Sequence, residues 1–220
     1  MNRDDYPGAQ SFLPKEQDLD HLAEAASKCQ GCPLYRDAKQ VVFGEGSPDA
    51  PIVLVGEQPG TQEDRLGEPF VGPGGRVLDH ALEEAGLPRE TIYLTNAVKH
   101  FKFTDDGNRK KAIKPALKEI QACRPWLREE LAAVDPEIVI ALGAVPARSL
   151  LDQPVAVREM LGSWLKTFDN RDLIVTYHPS AALRVPLEAD QDRIFDTLVE
   201  DLVRARRALS IEPPRPRPGA

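Results

Sequence analysis

The sequence lacks the features that mark extracellular and membrane proteins. It contains only three cysteines, and an odd number without a secretion signal argues against a disulfide framework. Cys29 and Cys32 form a C-x-x-C pair, which leaves metal binding and redox chemistry open. No apolar run approaches the roughly 20 residues of a membrane-spanning helix. The opening stretch MNRDDYPGAQSFLP contains acidic residues and lacks the apolar core of a signal peptide, so we expect a cytoplasmic protein that does not enter membranes.

Two common nucleotide-binding patterns are also missing. The stretch GEQPGTQED (residues 56–64) has neither the Walker spacing nor G-x-G-x-x-G, so a phosphate-binding loop is not supported. No repeat and no linker divides the chain. We predict a single domain over residues 16–209, a flexible arm over residues 1–15 and a disordered tail, rich in proline and arginine, over residues 210–220.

Short apolar runs alternate with helical patterns along the chain. The apolar runs predict four buried strands, over residues 52–55, 92–95, 137–142 and 173–177. Apolar residues at helical spacing predict helices over residues 18–28, 75–86, 116–133, 144–151 and 190–209. Strands that alternate with helices indicate a parallel sheet covered on both faces. We therefore predict a three-layer α/β/α fold with a central four-stranded parallel sheet.

Polar clusters follow three of the predicted strands. GEQPGTQED follows the first, Asn96 ends the second, and HPSAALR (residues 178–184) follows the last. Each cluster alone has an ordinary explanation: a tight glycine turn, a capping asparagine or a structural histidine. Ligands in open parallel sheets bind beyond the carboxyl ends of the strands, so the three clusters together predict a site at that edge.

The net charge of −7 argues against a nucleic-acid partner, but one segment has the opposite sign. Residues 99–114, called here the basic segment, contain six basic residues and two acidic ones. The field near a cleft depends on its nearest charges, so this segment is a candidate contact for nucleic acid. A solvated basic loop explains the composition equally well.

Four motifs in this order resemble those of the uracil-DNA glycosylase superfamily, and of its iron–sulfur type-4 branch in particular. They are GEQPGTQED, PFVGPGGRVLD, YLTNAVK and HPS, and the resemblance runs from about Cys29 to the last helix. It implies a monomeric enzyme of base excision repair that acts on uracil in single- or double-stranded DNA. Such an enzyme flips the base out of the stack and hydrolyses its N-glycosidic bond, which leaves an abasic site and needs no organic cofactor.

The resemblance implies a role for each residue of the pocket. Phe70 stacks on the flipped base, Asn96 reads the pyrimidine edge through its amide, and His178 donates a hydrogen bond to a uracil carbonyl oxygen. Glu57 positions or activates water, or stabilises the sugar cation. A core position for Phe70 and a structural role for His178 are the alternatives. The other residues implied to line the pocket are Gly56, Gln58, Asp64 and Ser180.

The resemblance also implies how the protein holds the DNA. Leu183 and Arg184, which follow the HPS motif, press into the duplex and keep open the gap that the flipped base leaves. Residues of the basic segment bind the backbone of the DNA. They are Arg109, Lys110, Lys111 and Lys114.

Four residues are implied to hold a [4Fe–4S] cluster. Type-4 enzymes use four cysteines, and Cys29, Cys32 and Cys123 match three of these positions. The fourth position is occupied by His100, and imidazole replaces thiolate on iron in Rieske centres. This substitution is typical of the X-type branch, whose members become covalently cross-linked to uracil-containing DNA. A surface histidine beside Phe101 is the alternative for His100, and a zinc or thiol-redox protein is the alternative for the cysteine pair.

The sequence departs from the X-type pattern at two positions. X-type enzymes carry a loop that reads like KRRIHKTP, whose histidine attacks the sugar. The matching stretch here is NRKKAIKP, with Ala112 at the histidine position, and Thr61 stands where an aspartate is expected. A methyl group cannot act as a nucleophile, so we predict uracil excision without covalent trapping. A uracil-DNA-binding protein with little turnover is the alternative.

Overall fold

The structure is a computed structural model that describes residues 6–107 and 110–212. Within these residues the chain forms eight strands and seven α-helices. The strands are β1 (Glu45–Gly46), β2 (Ile52–Gly56), β3 (Tyr93–Asn96), β4 (Phe103–Asp105), β5 (Lys110–Ala112), β6 (Ile138–Leu142), β7 (Trp164–Lys166) and β8 (Asp172–Thr176). The helices are α1 (Leu19–Ala26), α2 (Thr61–Leu66), α3 (Pro73–Ala85), α4 (Leu117–Val134), α5 (Ala144–Leu151), α6 (Val157–Met160) and α7 (Glu188–Ala208).

Six of the strands form the central sheet, in the order β1-β3-β2-β6-β8-β7. The inner four, β3, β2, β6 and β8, are parallel, as the apolar runs predict. The predicted number of strands was wrong, because β1 and β7 add an antiparallel strand to each edge. Both edge strands are short and largely exposed, so no apolar run marks them in the sequence.

Helices cover both faces of the sheet, which confirms the predicted layers. Successive side chains of a strand point to opposite faces, and β2 divides its apolar residues accordingly. Val53 and Val55 pack in one core cluster with residues of α1, α4 and α5. Ile52 and Leu54 pack in a second cluster with residues of α3 and α7. The polar residues beyond the strand ends therefore lie at the rim of a closely packed core.

Local sequence signals define the ends of the helices near this rim. Helix α3 begins with Pro73 at its first position and is followed by Gly86 in the left-handed conformation, with φ 67°. Proline at the start and glycine just past the end are typical of a helix. The start at Pro73 places the loop that carries Phe70 directly before the N-terminus of α3.

The described part of the predicted arm lies against the domain. Ala9 is buried, and the Gly8 N–H donates to the carbonyl oxygen of Gly31 at 3.0 Å. Residues 1–5 and 213–220, which hold the rest of the arm and most of the tail, lie outside the described residues. Among the described helices, none is both long enough and apolar enough to cross a bilayer.

Candidate active site

The adjacent ends of β2 and β3 bring Gly56 beside Asn96. The two residues are register partners in the parallel ladder. A methyl group added to Gly56 would lie 2.3 Å from Oδ1 of Asn96 and 2.6 Å from Cζ of Phe70. Any side chain at Gly56 would therefore displace the amide or the ring, so glycine is needed for this close approach. Three of the residues predicted for the pocket meet at this point.

Phe70 occupies a strained conformation next to His178. Its φ is 57°, a left-handed value that is unfavourable for a bulky side chain. The start of α3 holds it there, since a methyl group at Gly75 would lie only 1.8 Å from the Phe70 carbonyl oxygen. The Phe70 and His178 rings stack with their centroids 6.4 Å apart and their planes 26° apart. Strain of this kind marks a side chain whose direction is fixed by its surroundings.

The protonation of His178 is fixed by Ser180. The Ser180 backbone N–H donates to Nδ1 of His178 at 3.2 Å, and Ser180 Oγ lies 2.8 Å from the same nitrogen. Arg184 donates to Ser180 Oγ at 2.6 Å, which directs the serine O–H toward Nδ1. Because Nδ1 accepts these bonds, the ring proton is on Nε2. Burial, with a smaller contribution from the charge of Arg184, lowers the pKa of His178 to about 4, so the ring is a neutral N–H donor near pH 7.

Glu57 follows β2 directly and is half-buried at the same edge of the sheet. Burial raises the pKa of its carboxyl group above the ordinary value of 4.5, and the charges of Lys114 and Arg184 partly oppose this shift. Two cations therefore lie close enough to influence an acid beside the predicted pocket. Glu57 therefore places a carboxyl group and nearby positive charge at the same edge as the neutral imidazole of His178.

The side-chain amide of Gln58 binds the backbone at the base of a hairpin, so it is not available to the pocket. The strands β4 and β5 pair antiparallel and form this hairpin within the basic segment. The Gln58 Nε2 donates to the carbonyl oxygens of Lys102 and Ile113, at 3.2 and 3.0 Å. Its Oε1 accepts the Lys102 N–H at 3.0 Å. Both amide N–H groups are thus used by the hairpin backbone, and the hairpin is anchored beside Glu57.

Asp64, also predicted for the pocket, is buried and bonded to other parts of the protein. Its Oδ1 accepts the Lys39 backbone N–H at 2.8 Å. Its Oδ2 lies 4.0 Å from Nζ of Lys110, which is itself 4.0 Å from the ring centre of Phe103 on β4. Asp64 therefore attracts the hairpin toward α2. Its position favours a role in placing the hairpin.

Glu63 is a further residue of the site that the sequence motifs did not indicate. This buried carboxylate accepts the Gly60 N–H at 3.0 Å and the Gly72 N–H at 2.7 Å. It therefore ties the loop after β2 to the residue that precedes α3, on the two sides of Phe70. Glutamate at the third residue after the N-cap commonly accepts the N-cap backbone N–H, and this position was the available signal.

Two of the residues predicted to bind DNA, Lys114 and Arg184, lie near Glu57 at this edge. Lys111, Lys114, Leu183 and Arg184 are exposed, and the apolar side chain of Leu183 has 55% of its surface accessible. Lys110 is partly exposed on β5, and Arg109 lies outside the described residues. Leu183 is therefore an exposed apolar side chain that follows the HPS motif.

The four predicted cluster ligands are all buried, and they come from three parts of the chain. Cys29 and Cys32 follow α1, His100 follows β3, and Cys123 lies on α4. Two of the sulfur atoms accept N–H bonds. The Trp126 indole N–H lies 3.3 Å from Cys29 Sγ, and the Lys99 backbone N–H lies 3.3 Å from Cys123 Sγ.

The four predicted ligands are three thiols and one imidazole, and burial shifts the pKa of several of them. Burial raises the pKa of Cys32 to about 11 and lowers that of His100 to about 4. Burial also raises the pKa of Cys123, and the neighbouring Cys32 and Cys29 add to this shift. Among residues 6–107 and 110–212, no group of three or more such side chains is placed to hold one metal ion.

Comparison with known proteins agrees with this geometry. The model of the uracil DNA glycosylase superfamily matches residues 43–203. A type-4 uracil-DNA glycosylase of Thermotoga maritima is 35% identical over 199 residues, which cover 90% of this chain and 98% of the relative. Type-4 enzymes of Pyrobaculum aerophilum and Saccharolobus solfataricus are 36% and 35% identical, over 77% and 89% of this chain and 86% and 88% of their own. The chain therefore belongs to the uracil-DNA glycosylase superfamily.

Proposed function

We propose that this protein is a uracil-DNA glycosylase that excises uracil from DNA in base excision repair. The observation that carries this proposal is the convergence of Gly56, Phe70, Asn96 and His178 at the carboxyl edge of the sheet. The relatedness to type-4 enzymes over most of the chain supports the same reaction. We expect alkali to cleave uracil-containing DNA after incubation with the protein and to leave a thymine-containing control intact.

The pocket recognises a base that has left the DNA stack, because the glycosidic bond is inaccessible inside a duplex. The Phe70 ring stacks on the flipped uracil. The Asn96 amide offers a donor and an acceptor on one plane, which match the edge of the pyrimidine. The absence of a side chain at Gly56 leaves the amide and the ring in place.

His178 stabilises the leaving base. Negative charge develops on a uracil carbonyl oxygen as the glycosidic bond breaks, and the Nε2–H of His178 donates to that oxygen. Ser180 holds the ring in the tautomer that this requires. A neutral donor keeps its proton through the step, so the base departs as an anion stabilised by a hydrogen bond.

Glu57 acts on the other side of the bond. Its carboxylate stabilises the positive charge of the sugar and positions the water that attacks it. The water bonds to the sugar carbon, the bond to the base breaks with its electron pair on uracil, and one water proton is released. The hairpin, Lys114 and Arg184 hold the DNA, and Leu183 enters the gap left by the base.

The excision rate is expected to fall at low pH because of Glu57. The rate requires the carboxylate, so it decreases as pH drops through the Glu57 pKa, which burial raises above 4.5. His178, with a pKa of about 4, is still neutral where this decrease begins. Single-turnover rates measured against pH test the assignment. A Glu57→Gln variant should be slower by about 10²-fold or more and should lose the acid limb; an acid limb that persists in this variant would assign it to another group.

Cys29, Cys32, His100 and Cys123 are proposed to hold a [4Fe–4S] cluster. When bound, the cluster supplies covalent links between the segment after α1, the loop after β3 and helix α4. His100 and Asn96 belong to the same short segment, so these links also stabilise the part of β3 that reads the base. The role is structural, and no step of the excision requires a change in the oxidation state of iron.

Release of the product is proposed to be non-covalent because Ala112 replaces the nucleophilic histidine of X-type enzymes. Ala112 lies on β5 beside Ile113, whose carbonyl is held by Gln58, so it is close to the edge of the pocket. We expect Ala112→His to produce an SDS-resistant band with uracil-containing DNA that the unmodified protein does not give. Lys111→His, on the neighbouring position of the same strand, is the matched control and should give no band. No band from Ala112→His would contradict the placement of this residue.

A further inference from the structure

A buried ion pair that the excision reaction does not use lies beneath the end of β3. Lys99 follows β3, and Glu130 lies on α4. The Lys99 ammonium group and the Glu130 carboxylate form the ion pair. Each side chain is only 1% exposed. Charged groups are rarely buried to this extent unless they are paired, so this pair forms part of a defined network.

Glu130 accepts hydrogen bonds from four donors around β3. Its Oε1 accepts the Gly44 backbone N–H at 3.0 Å, the Tyr93 hydroxyl at 3.1 Å and the Thr95 hydroxyl at 2.9 Å. Its Oε2 accepts from Lys99. Tyr93 and Thr95 point to the same face of the strand, so the carboxylate holds that face of β3 along most of its length.

Lys99 uses all three of its donors in the same region. Its Nζ donates to Glu130, to the Thr95 hydroxyl at 2.6 Å and to the Asn96 carbonyl oxygen at 2.9 Å. The bond to the carbonyl oxygen holds the peptide that follows Asn96. The next N–H, that of Ala97, donates to the Gly56 carbonyl oxygen at 2.9 Å. The backbone that carries the Asn96 side chain is therefore held from two directions.

The main chain of Lys99 connects this network to the predicted cluster. Its N–H donates to Cys123 Sγ, and Cys123 lies on the same helix as Glu130. A shift of α4 would therefore move both the ion pair and the cluster ligand. Stability alone does not account for the pair, because well-packed apolar residues often replace a buried ion pair without loss.

We propose that the Lys99–Glu130 pair is a positioning element, which holds the Asn96 amide in the orientation that binds uracil. It acts through the Asn96 carbonyl and Thr95, and it does not touch the DNA. The inference rests on the proposed function, because it takes Asn96 as the residue that reads the base. Small displacements of groups that orient a substrate cost about 10- to 100-fold in rate.

The test is a variant that removes both charges and keeps the acceptor. In Lys99→Met/Glu130→Gln, the glutamine carbonyl oxygen still accepts from Gly44, Tyr93 and Thr95. We expect melting temperature and iron content close to those of the unmodified protein, with kcat for uracil excision about 10- to 100-fold lower. Arg204→Met/Asp201→Asn removes another pair with a buried carboxylate, on α7, and should leave kcat unchanged.

Asn96→Ala decides whether the pair acts through Asn96. Residues that act as one unit give non-additive effects, so the charge-free variant should cause no further loss in the Asn96→Ala background. Two results would overturn the proposal. One is that the kcat losses of Asn96→Ala and of Lys99→Met/Glu130→Gln multiply when combined, and the other is that Lys99→Met/Glu130→Gln alone loses no activity. Thr95→Val removes a shared partner without removing a charge, and it supplies the same cycle if the double variant does not fold.

The same set of variants is also compared in binding. The quantity measured is the ratio of affinities for uracil-containing and thymine-containing single-stranded DNA. If the unmodified protein binds uracil selectively but does not excise it, the proposed function fails while the binding cycle still decides the role of the pair. If the charge-free variant keeps the full preference for uracil, the positioning role is wrong whatever the excision rate.

Discussion

Replacing His178 with alanine is expected to lower the rate of uracil excision by about 10²- to 10³-fold, the usual cost of losing one donor to a developing oxyanion. The imidazole is neutral, its proton is on Nε2, and its ring stacks against Phe70. Because the hydrogen bond strengthens as charge develops on the base, the loss should be in kcat more than in KM. Single-turnover rates with a uracil-containing single strand measure it.

His21→Ala is the matched control for this prediction. His21 is an exposed histidine on α1 that pairs with Asp18, far along the chain from the pocket residues. Its variant should excise uracil at the unmodified rate. Ser180→Ala should show a smaller loss than His178→Ala, since the Ser180 backbone N–H still donates to Nδ1. A His178→Ala variant as fast as His21→Ala would remove His178 from the mechanism.

Replacing Cys123 with alanine is expected to abolish iron binding and to destabilise the fold severely. Binding of structural metals contributes on the order of 10 kcal/mol to folding in small domains. Cys123 is buried on α4 and is one of the four proposed ligands, which come from three segments of the chain. Iron content per chain and thermal unfolding are the measurements. Ile120→Ala, a buried apolar truncation one turn earlier on α4, should cost about 2–5 kcal/mol and leave the iron content unchanged.

Two variants of His100 distinguish the loss of a cluster ligand from the general effect of truncating a buried side chain. His100→Ala should lose iron, whereas His100→Cys should retain a cluster with four thiolates and a lower reduction potential, as thiolate is more electron-donating than imidazole. Unchanged iron in His100→Ala would show that His100 is not a ligand. Stoichiometric zinc without iron in the unmodified protein would contradict the cluster itself.

The parallel core of the sheet was predictable because it is built from buried apolar runs. Residues 52–55 and 137–142, for example, contain little except apolar side chains, and their strands are buried on both faces. The edge strands β1 and β7 carry no such signal, since they are held by backbone pairing at an exposed edge. The hairpin of β4 and β5 was missed for the same reason, as its residues are mostly exposed.

The candidate site was predictable to the extent that strand ends determine it. Gly56 and Asn96 end neighbouring parallel strands, so their proximity follows from the order of the sheet. The partners of Gln58 could not be inferred, because its amide binds backbone groups 44 and 55 positions further along the chain. The Lys99–Glu130 pair was missed because nothing in the sequence distinguishes a buried glutamate from the other acids of α4.

The most direct test of non-covalent uracil excision is a single incubation with labelled single-stranded DNA that contains one uracil, divided between two analyses. One half is treated with alkali, and the other is run on a denaturing SDS gel without it. We expect cleavage at the uracil position in the first half and no retarded band in the second. An SDS-resistant band would contradict non-covalent release, and DNA left intact by alkali, with binding that weakens as salt rises, would identify a uracil-DNA-binding protein without turnover.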